Sequence, residues 1–276
     1  MTPFLKCKDH TLTQEVFELH QAAEGDMLVT HPVPDNLAKY YESTDYISHT
    51  DAKSSAFDWV YQWVKSYNLK RKERLLSRVL SGDKKLLDIG AGTGDFLLHC
   101  KKQSWQVSGV EPNDSARALA QKKGIALHED LATVSTEKFH AITLWHVLEH
   151  LPDLYKDIVR IHDLLETDGV LVVAVPNYKA YDAEKYGAYW AAYDVPRHLW
   201  HFSQAAIKRI FESQGFRLLE TKPMPFDAYY VSLLSEKYKT GKQRWWAAFR
   251  SGWTSNAKAK RSGEYSSLIY ILQKAK

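Results

Sequence analysis

Three observations predict an α/β protein built on a doubly wound sheet. From Lys85 to Thr221 short apolar runs alternate with helical patterns, as they do where parallel strands are joined by crossover helices. The first run, Leu86, Leu87 and Ile89, leads directly into Gly90, Gly92 and Gly94. A buried strand followed by a glycine turn and a helix forms the carboxyl edge at which such sheets bind ligands. The next run, residues 106–111, ends in Glu111. Two acids, Asp88 and Glu111, therefore stand at successive strand ends.

The 276 residues accommodate one large α/β domain with appendages, or two small domains. With 45% hydrophobic and 25% charged residues, the composition is that of an ordinary soluble protein. The longest apolar run, residues 170–175, falls far short of the ~18 residues of a membrane span. The start, MTPFLKCK, lacks the long apolar core of a signal peptide. Cys7 and Cys100 supply no disulfide framework. A reducing cytoplasm is the expected location.

Residues 1–36 are rich in histidine, end in His31-Pro32-Val33-Pro34, and read as a small separate arm. Residues 37–82 read as a helical cap. Its entry carries Tyr40, Tyr41 and Tyr46, followed by Phe57, Val60, Val64, Tyr67, Leu75, Leu76 and Val79 at helical spacing, with Gly82 as the stop. Residues 83–276 form the main domain, with strands expected near 85–89, 106–111, 126–128, 140–145, 169–176, 216–221 and 266–273 and a first helix over 95–102. Pro152 suits the first position of a helix running to Leu165, and Ser203 suits the N-cap of one ending before Gly215.

Two segments interrupt this pattern. Residues 178–203 hold Tyr181, Tyr186, Tyr189, Trp190 and Tyr193, and read either as a lid or substrate wall or as a surface helix packed on the sheet edge. Residues 223–264 separate the last two strands. Within 236–264, eight basic residues face two acids, a net +6 against +4 for the whole chain, with Trp245, Trp246, Phe249 and Trp253 interleaved. Such an insertion can dock an acidic partner, an anionic lipid surface or single-stranded nucleic acid. The simpler reading is a solvated face over buried tryptophans.

The glycine spacing selects the ligand. A dinucleotide turn needs G-x-G-x-x-G, whereas Asp95 stands where its last glycine would fall. A nicotinamide-dependent oxidoreductase is thereby disfavoured. Asp88 would repel a pyrophosphate and attract an ammonium or sulfonium. Glu111 can accept both hydroxyls of a ribose.

The stretch Leu86-Leu87-Asp88-Ile89-Gly90-Ala91-Gly92-Thr93-Gly94-Asp95, with Glu111 beyond it, resembles motif I and the following acidic motif of class I S-adenosylmethionine-dependent methyltransferases. His128-Glu129-Asp130-Leu131 resembles their adenine-holding motif, residues 139–150 their fourth strand with its Glu-His ending, and residues 169–177 their fifth. Asp194-Val195-Pro196-Arg197-His198-Leu199 is similar to the D-x-P-R-H-L segment of one subfamily, methyltransferase type 23. The likeness runs from about residue 36 to 221, plus the last strand.

The resemblance implies a Rossmann-like sheet of seven strands, the last antiparallel, with S-adenosylmethionine as methyl donor and S-adenosylhomocysteine as product. It implies cofactor contacts at Asp88, Gly90, Ala91, Gly92, Gly94, Glu111, Pro112, Asp130, Leu131, Trp145 and His146, with Asp130 on the adenine amine and Leu131 on the ring. The subfamily's stretch over the cofactor corresponds to Tyr46 and His49, for which simple packing is the other reading. Relatives often begin with a zinc ribbon of two Cys-x-x-Cys pairs, of which Cys7 alone remains. Cys7, His10, His20 and Asp26 can rebuild a site; the other reading, a degenerate ribbon held by packing with no metal, is the expectation.

Methyl transfer from a sulfonium is an in-line displacement that needs a nucleophile within ~3 to 3.5 Å and the exclusion of water. Histidine is the natural base for a protonated acceptor. His146 follows the fourth strand and can line the crevice, or serve only the turn. With Glu149 and His150 it forms H-x-x-E-H, which lacks the helix and third ligand of an inverted zinc-protease site. Some related methyltransferases bind magnesium through E-x-x-E-H; His146 in place of the first carboxylate disfavours so hard a cation, and His150 reads as structural. His198 and His201 are further candidates. Arg197 either grips an anionic group of the substrate or closes an internal salt bridge with Asp194.

The expected activity is transfer of a methyl group to an oxygen, nitrogen or carbon nucleophile of a small-molecule or sugar- or lipid-like acceptor. A catalytically lapsed scaffold whose insertion docks a partner is the alternative, disfavoured because Asp88, the glycines and Glu111 all remain.

Overall fold

The computed structural model of the protein describes residues 1–41, 56–80 and 82–275. Tyr46 and His49 lie outside the described residues. A three-stranded meander opens the chain, β1 (Thr2–Lys8), β2 (Val16–Gln21) and β3 (Met27–His31). Helix α1 (Ala56–Val79) leads to β4 (Lys85–Ile89), α2 (Asp95–Lys102), β5 (Gln106–Val110) and α3 (Asp114–Lys122). Then follow β6 (Phe139–Trp145), α4 (Leu154–Leu164), β7 (Leu165–Pro176), α5 (Tyr181–Tyr186) and β8 (Trp200–Phe202). The chain closes with α6 (Gln204–Ser213), β9 (Phe216–Pro223), α7 (Asp227–Thr240), α8 (Trp245–Ser262) and β10 (Ser267–Lys274).

The main sheet runs β5-β4-β6-β7-β10-β9. Strands β5, β4, β6 and β7 are parallel, and β10 pairs antiparallel with both β7 and β9. Its central strands β4, β6, β7 and β10 read largely as apolar runs because both faces are covered. Leu87, Ile89, Ile142, Leu144, Leu171 and Val173 pack into one layer, while Leu86, Ala141, Val170, Val172 and Ala174 pack into the other. Asp88 and its register partner on β6, Thr143, are buried polar exceptions. The seventh strand position, expected over 126–128, is a single parallel bridge from His128 to Val110.

Ser203 caps α6, its side chain accepting the Ala206 N–H at 3.1 Å. Pro152, by contrast, precedes the helix it was expected to begin. Asp153 takes a non-helical N-cap conformation and α4 opens at Leu154.

The amino-terminal meander is completed by β8, giving the order β1-β2-β3-β8. The aromatic segment 178–203 explains this joint. Tyr178, Tyr186, Trp190 and Tyr193 are buried with Cys7, Phe17, Leu19, Leu28 and Tyr40, so they form the core between the meander and the rest of the molecule. The insertion folds as the antiparallel pair α7 and α8, with Gly241 in the left-handed conformation closing α7.

Candidate active site

Strand β4 ends at Asp88, which is 3% exposed and accepts the Thr143 hydroxyl at 2.5 Å. Burial raises its pKa to about 6, opposed by the Thr143 hydrogen bond and the charge of Lys72. Beyond it the chain turns through Gly90 and Ala91, whose N–H groups both donate to the Val110 carbonyl, at 2.8 and 2.9 Å. Gly90 has φ +71°, and a Cβ there would lie 2.3 Å from Cγ2 of Val147, so the turn requires glycine. Gly92 has φ +53°, yet a Cβ there would meet no protein atom within 4 Å. The loop backbone is open to a ligand at that point.

Glu111, one residue beyond β5, faces the loop. Its carboxylate accepts the Gly92 N–H at 2.8 Å and the Asn113 N–H at 3.0 Å, one on each oxygen. Each oxygen keeps a further lone pair for a ribose hydroxyl. Asp130 caps the turn Leu131–Thr133 by accepting the Ala132 N–H at 2.7 Å, and Leu131 is buried below it. The Pro112 carbonyl is held by Arg117 at 2.7 Å. Trp145 meets Phe96 edge-on, its Nε1 is buried without a hydrogen-bond partner, and the Lys72 ammonium lies 4.4 Å above its ring.

A second cluster begins where β6 ends. His146 has φ +58°, a left-handed conformation uncommon for a non-glycine residue, and its N–H is held by the Ala174 carbonyl at 2.9 Å. Its Nε2 lies 3.2 Å from Asp227 and its Nδ1 lies 3.5 Å from Glu149. Burial opposes the charged imidazolium, but the two carboxylates outweigh it and raise the pKa to about 10. His146 is a cation at neutral pH.

Glu149 is 1% exposed and, beyond its ion pair with His146, neither carboxylate oxygen has a hydrogen-bond partner. Burial pushes its pKa up, yet His146 and His198 beside it hold it below the ordinary value. The His150 Nδ1 donates to the Arg197 carbonyl at 3.0 Å, with the Tyr41 hydroxyl also 3.0 Å away. The His198 Nδ1 donates to the Ala192 carbonyl at 2.9 Å. Because a carbonyl only accepts, both rings carry a proton on Nδ1, which leaves Nε2 as the atom that gains or gives a second proton. Burial, aided by the charge of His198, lowers the His150 pKa to about 4. The two rings meet edge to face at 4.5 Å. Among the described residues, Glu149, His150 and His198 are the grouping whose ligand atoms all lie within 4.8 Å of one another and can hold a metal ion.

His201 stands behind this cluster. Its Nε2 meets the Thr30 hydroxyl at 3.0 Å, and burial lowers its pKa to about 3. The Arg197 guanidinium donates to Asp194 at 2.6 and 2.9 Å, to Asp9 at 3.2 Å, to Thr11 at 2.9 Å and to the Tyr40 carbonyl at 3.1 Å. It lies between the amino-terminal meander and segment 194–203.

The structure therefore gathers His146, Glu149, His150, His198 and His201 in one place, and Asp88, Glu111 and the glycine loop in another. Asp227, Lys72, Thr143 and Thr30 join them without any local sequence signal. Tyr41 carried one in its tyrosine-rich run. The amino-terminal candidates diverge: Cys7 is buried in an apolar core, His10 stacks on Tyr238, His20 pairs with Glu18, and Asp26 pairs with Arg209.

A doubly wound sheet whose first two strands end in acids around a glycine loop is the frame of an S-adenosylmethionine-dependent methyltransferase. A family model described as a methyltransferase domain matches residues 43–221, more than half of the chain, and the chain belongs to that family. Among curated relatives, the ubiquinone biosynthesis O-methyltransferase of Actinobacillus pleuropneumoniae serotype 7 is 29% identical over 175 residues, 56% of this chain and 73% of that protein. Its namesake from Histophilus somni is 30% identical over 131 residues, 42% of this chain and 55% of that protein. The chain thus spans little more than half of some of these relatives.

Two solved structures share the fold. The 1,6-didemethyltoxoflavin-N1-methyltransferase of Burkholderia thailandensis, with S-adenosylhomocysteine bound, has a TM-score of 0.52 at 16% identity and is covered over 100% of both chains. The magnesium protoporphyrin IX methyltransferase of Synechocystis, with the methyl donor bound, has a TM-score of 0.52 at 14% identity, covering 86% of this chain and 94% of that one. The residues present fit the same donor: a buried carboxylate for its cationic end, an open glycine backbone and a paired carboxylate for the ribose.

Proposed function

We propose that the enzyme methylates an ionisable hydroxyl, a phenol or enol, of a small organic acceptor. The carrying observation is His146, held as a cation by Asp227 and Glu149 at the end of β6, beside the rings of His150 and His198. A fixed cation favours the oxyanion form of an acidic hydroxyl over an already cationic amine. The bound donor supplies the methyl group from its sulfonium. The charged ring of His146, both of whose nitrogens face carboxylates, lends its field to the nucleophilic oxygen, His198 takes the proton through Nε2, and the Leu199 N–H bond to the Glu149 carbonyl at 2.8 Å keeps the two histidine segments in register. On this reading Arg197 and His201 position the wall and do not touch the acceptor. The oxygen specificity that the ubiquinone biosynthesis O-methyltransferase relatives are named for supports the same reading.

Asp88 holds the donor's ammonium, Glu111 its ribose and Asp130 its adenine amine, with Leu131 under the ring and Trp145 at the mouth. The test is a panel of phenols, enols and amines assayed with methyl-labelled donor and product analysis. Methyl ethers formed on phenols or enols are the expected products. Labelled amines or carbon-methylated products alone would overturn the choice of nucleophile while leaving the donor site intact.

A further inference from the structure

The tryptophans of α8 were expected beneath a solvated face, and the structure places them outside. Trp245 is 57% exposed, Trp246 87%, Phe249 57% and Trp253 60%. The face that α8 buries is made of small residues, Ala248, Ser251, Gly252, Ser255 and Ala259. A Cβ at Gly252 would lie 2.9 Å from the Tyr229 backbone of α7, so small residues let the helices approach closely. The packing of the pair therefore leaves the aromatic face unburied. Phe226, at the entry to α7, is a further exposed ring at 61%.

Charge is sorted in the same sense. Lys242, Arg244, Arg250, Lys260 and Arg261 are exposed around this face. The two acids of residues 236–264 turn inward, Glu236 to the Tyr186 hydroxyl at 3.2 Å and Glu264 to the Asn177 amide at 2.6 Å. What faces outward is basic and aromatic.

We infer that α8 docks the protein on an anionic lipid bilayer, lying in the headgroup plane with Trp246, Phe249 and Trp253 towards the acyl boundary. Tryptophan has an apolar body and a polar N–H that suit this boundary, and basic residues on either side match anionic headgroups. Single-stranded nucleic acid is bound by platforms set in basic grooves, whereas this aromatic row stands on the outer side of a helix. Lipid docking concerns a surface away from the methyl donor and is tested apart from activity.

The test is flotation of the full chain with phosphatidylcholine vesicles and with vesicles of phosphatidylcholine and phosphatidylglycerol in equal parts. The wild type is expected to float with the anionic vesicles at least about tenfold more than with the neutral ones, and less at high salt. Trp246→Ser with Trp253→Ser is expected to lose about tenfold or more of that binding, and Lys242→Glu a smaller part, with unchanged thermal unfolding and donor affinity. Brominated lipid should quench the wild type and not the double variant. Absence of flotation, equal flotation of wild type and double variant, or binding only to single-stranded DNA or to a soluble protein would overturn the inference.

Discussion

The Nε2 of His146 lies 3.2 Å from the Asp227 carboxylate, so the helical insertion supplies an acid to the candidate active site at the end of β6. That contact helps hold His146 charged. Its pKa is raised, so the stabilisation from pairing is fully present below the ordinary imidazole value and is lost as pH rises through about 10. In Asp227→Asn the alkaline fall of kcat is expected to move towards neutrality by about one unit or more. A pH–rate profile of wild type and variant checks this.

Donor binding should depend on pH through Asp88. Its pKa of about 6 means that the carboxylate loses its charge, and its attraction for an ammonium, as pH falls through about 6. Calorimetric Kd for the donor is expected to rise roughly tenfold per unit below that point. Thr143→Val removes the hydrogen bond that favours the charged form and should move the transition upward by about one unit.

Lys72 places a cation 4.4 Å above Trp145 and within electrostatic reach of Asp88. Lys72→Met is expected to tighten S-adenosylmethionine by about fivefold and S-adenosylhomocysteine, which lacks the sulfonium charge, by less. Equal tightening of both would assign the effect to shape.

The ring nitrogens of His150 and His198 and the buried Glu149 carboxylate are nitrogen and oxygen donors of the kind zinc accepts. Zinc ion is expected to inhibit methyl transfer at micromolar levels, reversed by chelator and weakened about tenfold or more in His198→Ala. Inhibition unchanged in that variant would place the ion elsewhere.

Arg197→Met should act on stability. It leaves Asp9, at 1% exposure, and Asp194 without their shared cation, a loss of about 3–5 kcal/mol. Denaturant unfolding measures it. At a temperature where the variant stays folded, KM for the donor should be unchanged.

The donor side was legible in the sequence because its chemistry is local. Asp88, Gly90, Gly92 and Glu111 fall within two strand–turn units, and spacing alone separates them from a dinucleotide turn. Asp227 and Lys72 were not legible, since each reaches the site from a helix whose sequence carries no motif. The exposure of Trp246 and Trp253 escaped for a different reason: periodicity was weighed on large apolar residues, while α8 buries its small ones. His128 shows the limit of pattern for strands, because an edge position needs only one bridge to the sheet.

The bond from Arg197 to Asp9 spans 188 positions, and β3 finds its partner β8 over a similar distance. On a translating ribosome, at roughly 5–20 residues per second, the leading meander would wait roughly 10–40 seconds for that partner. Through this interval its third strand presents an open edge. The meander is thus made well before it is completed, and a chaperone guarding nascent chains would find its opening there.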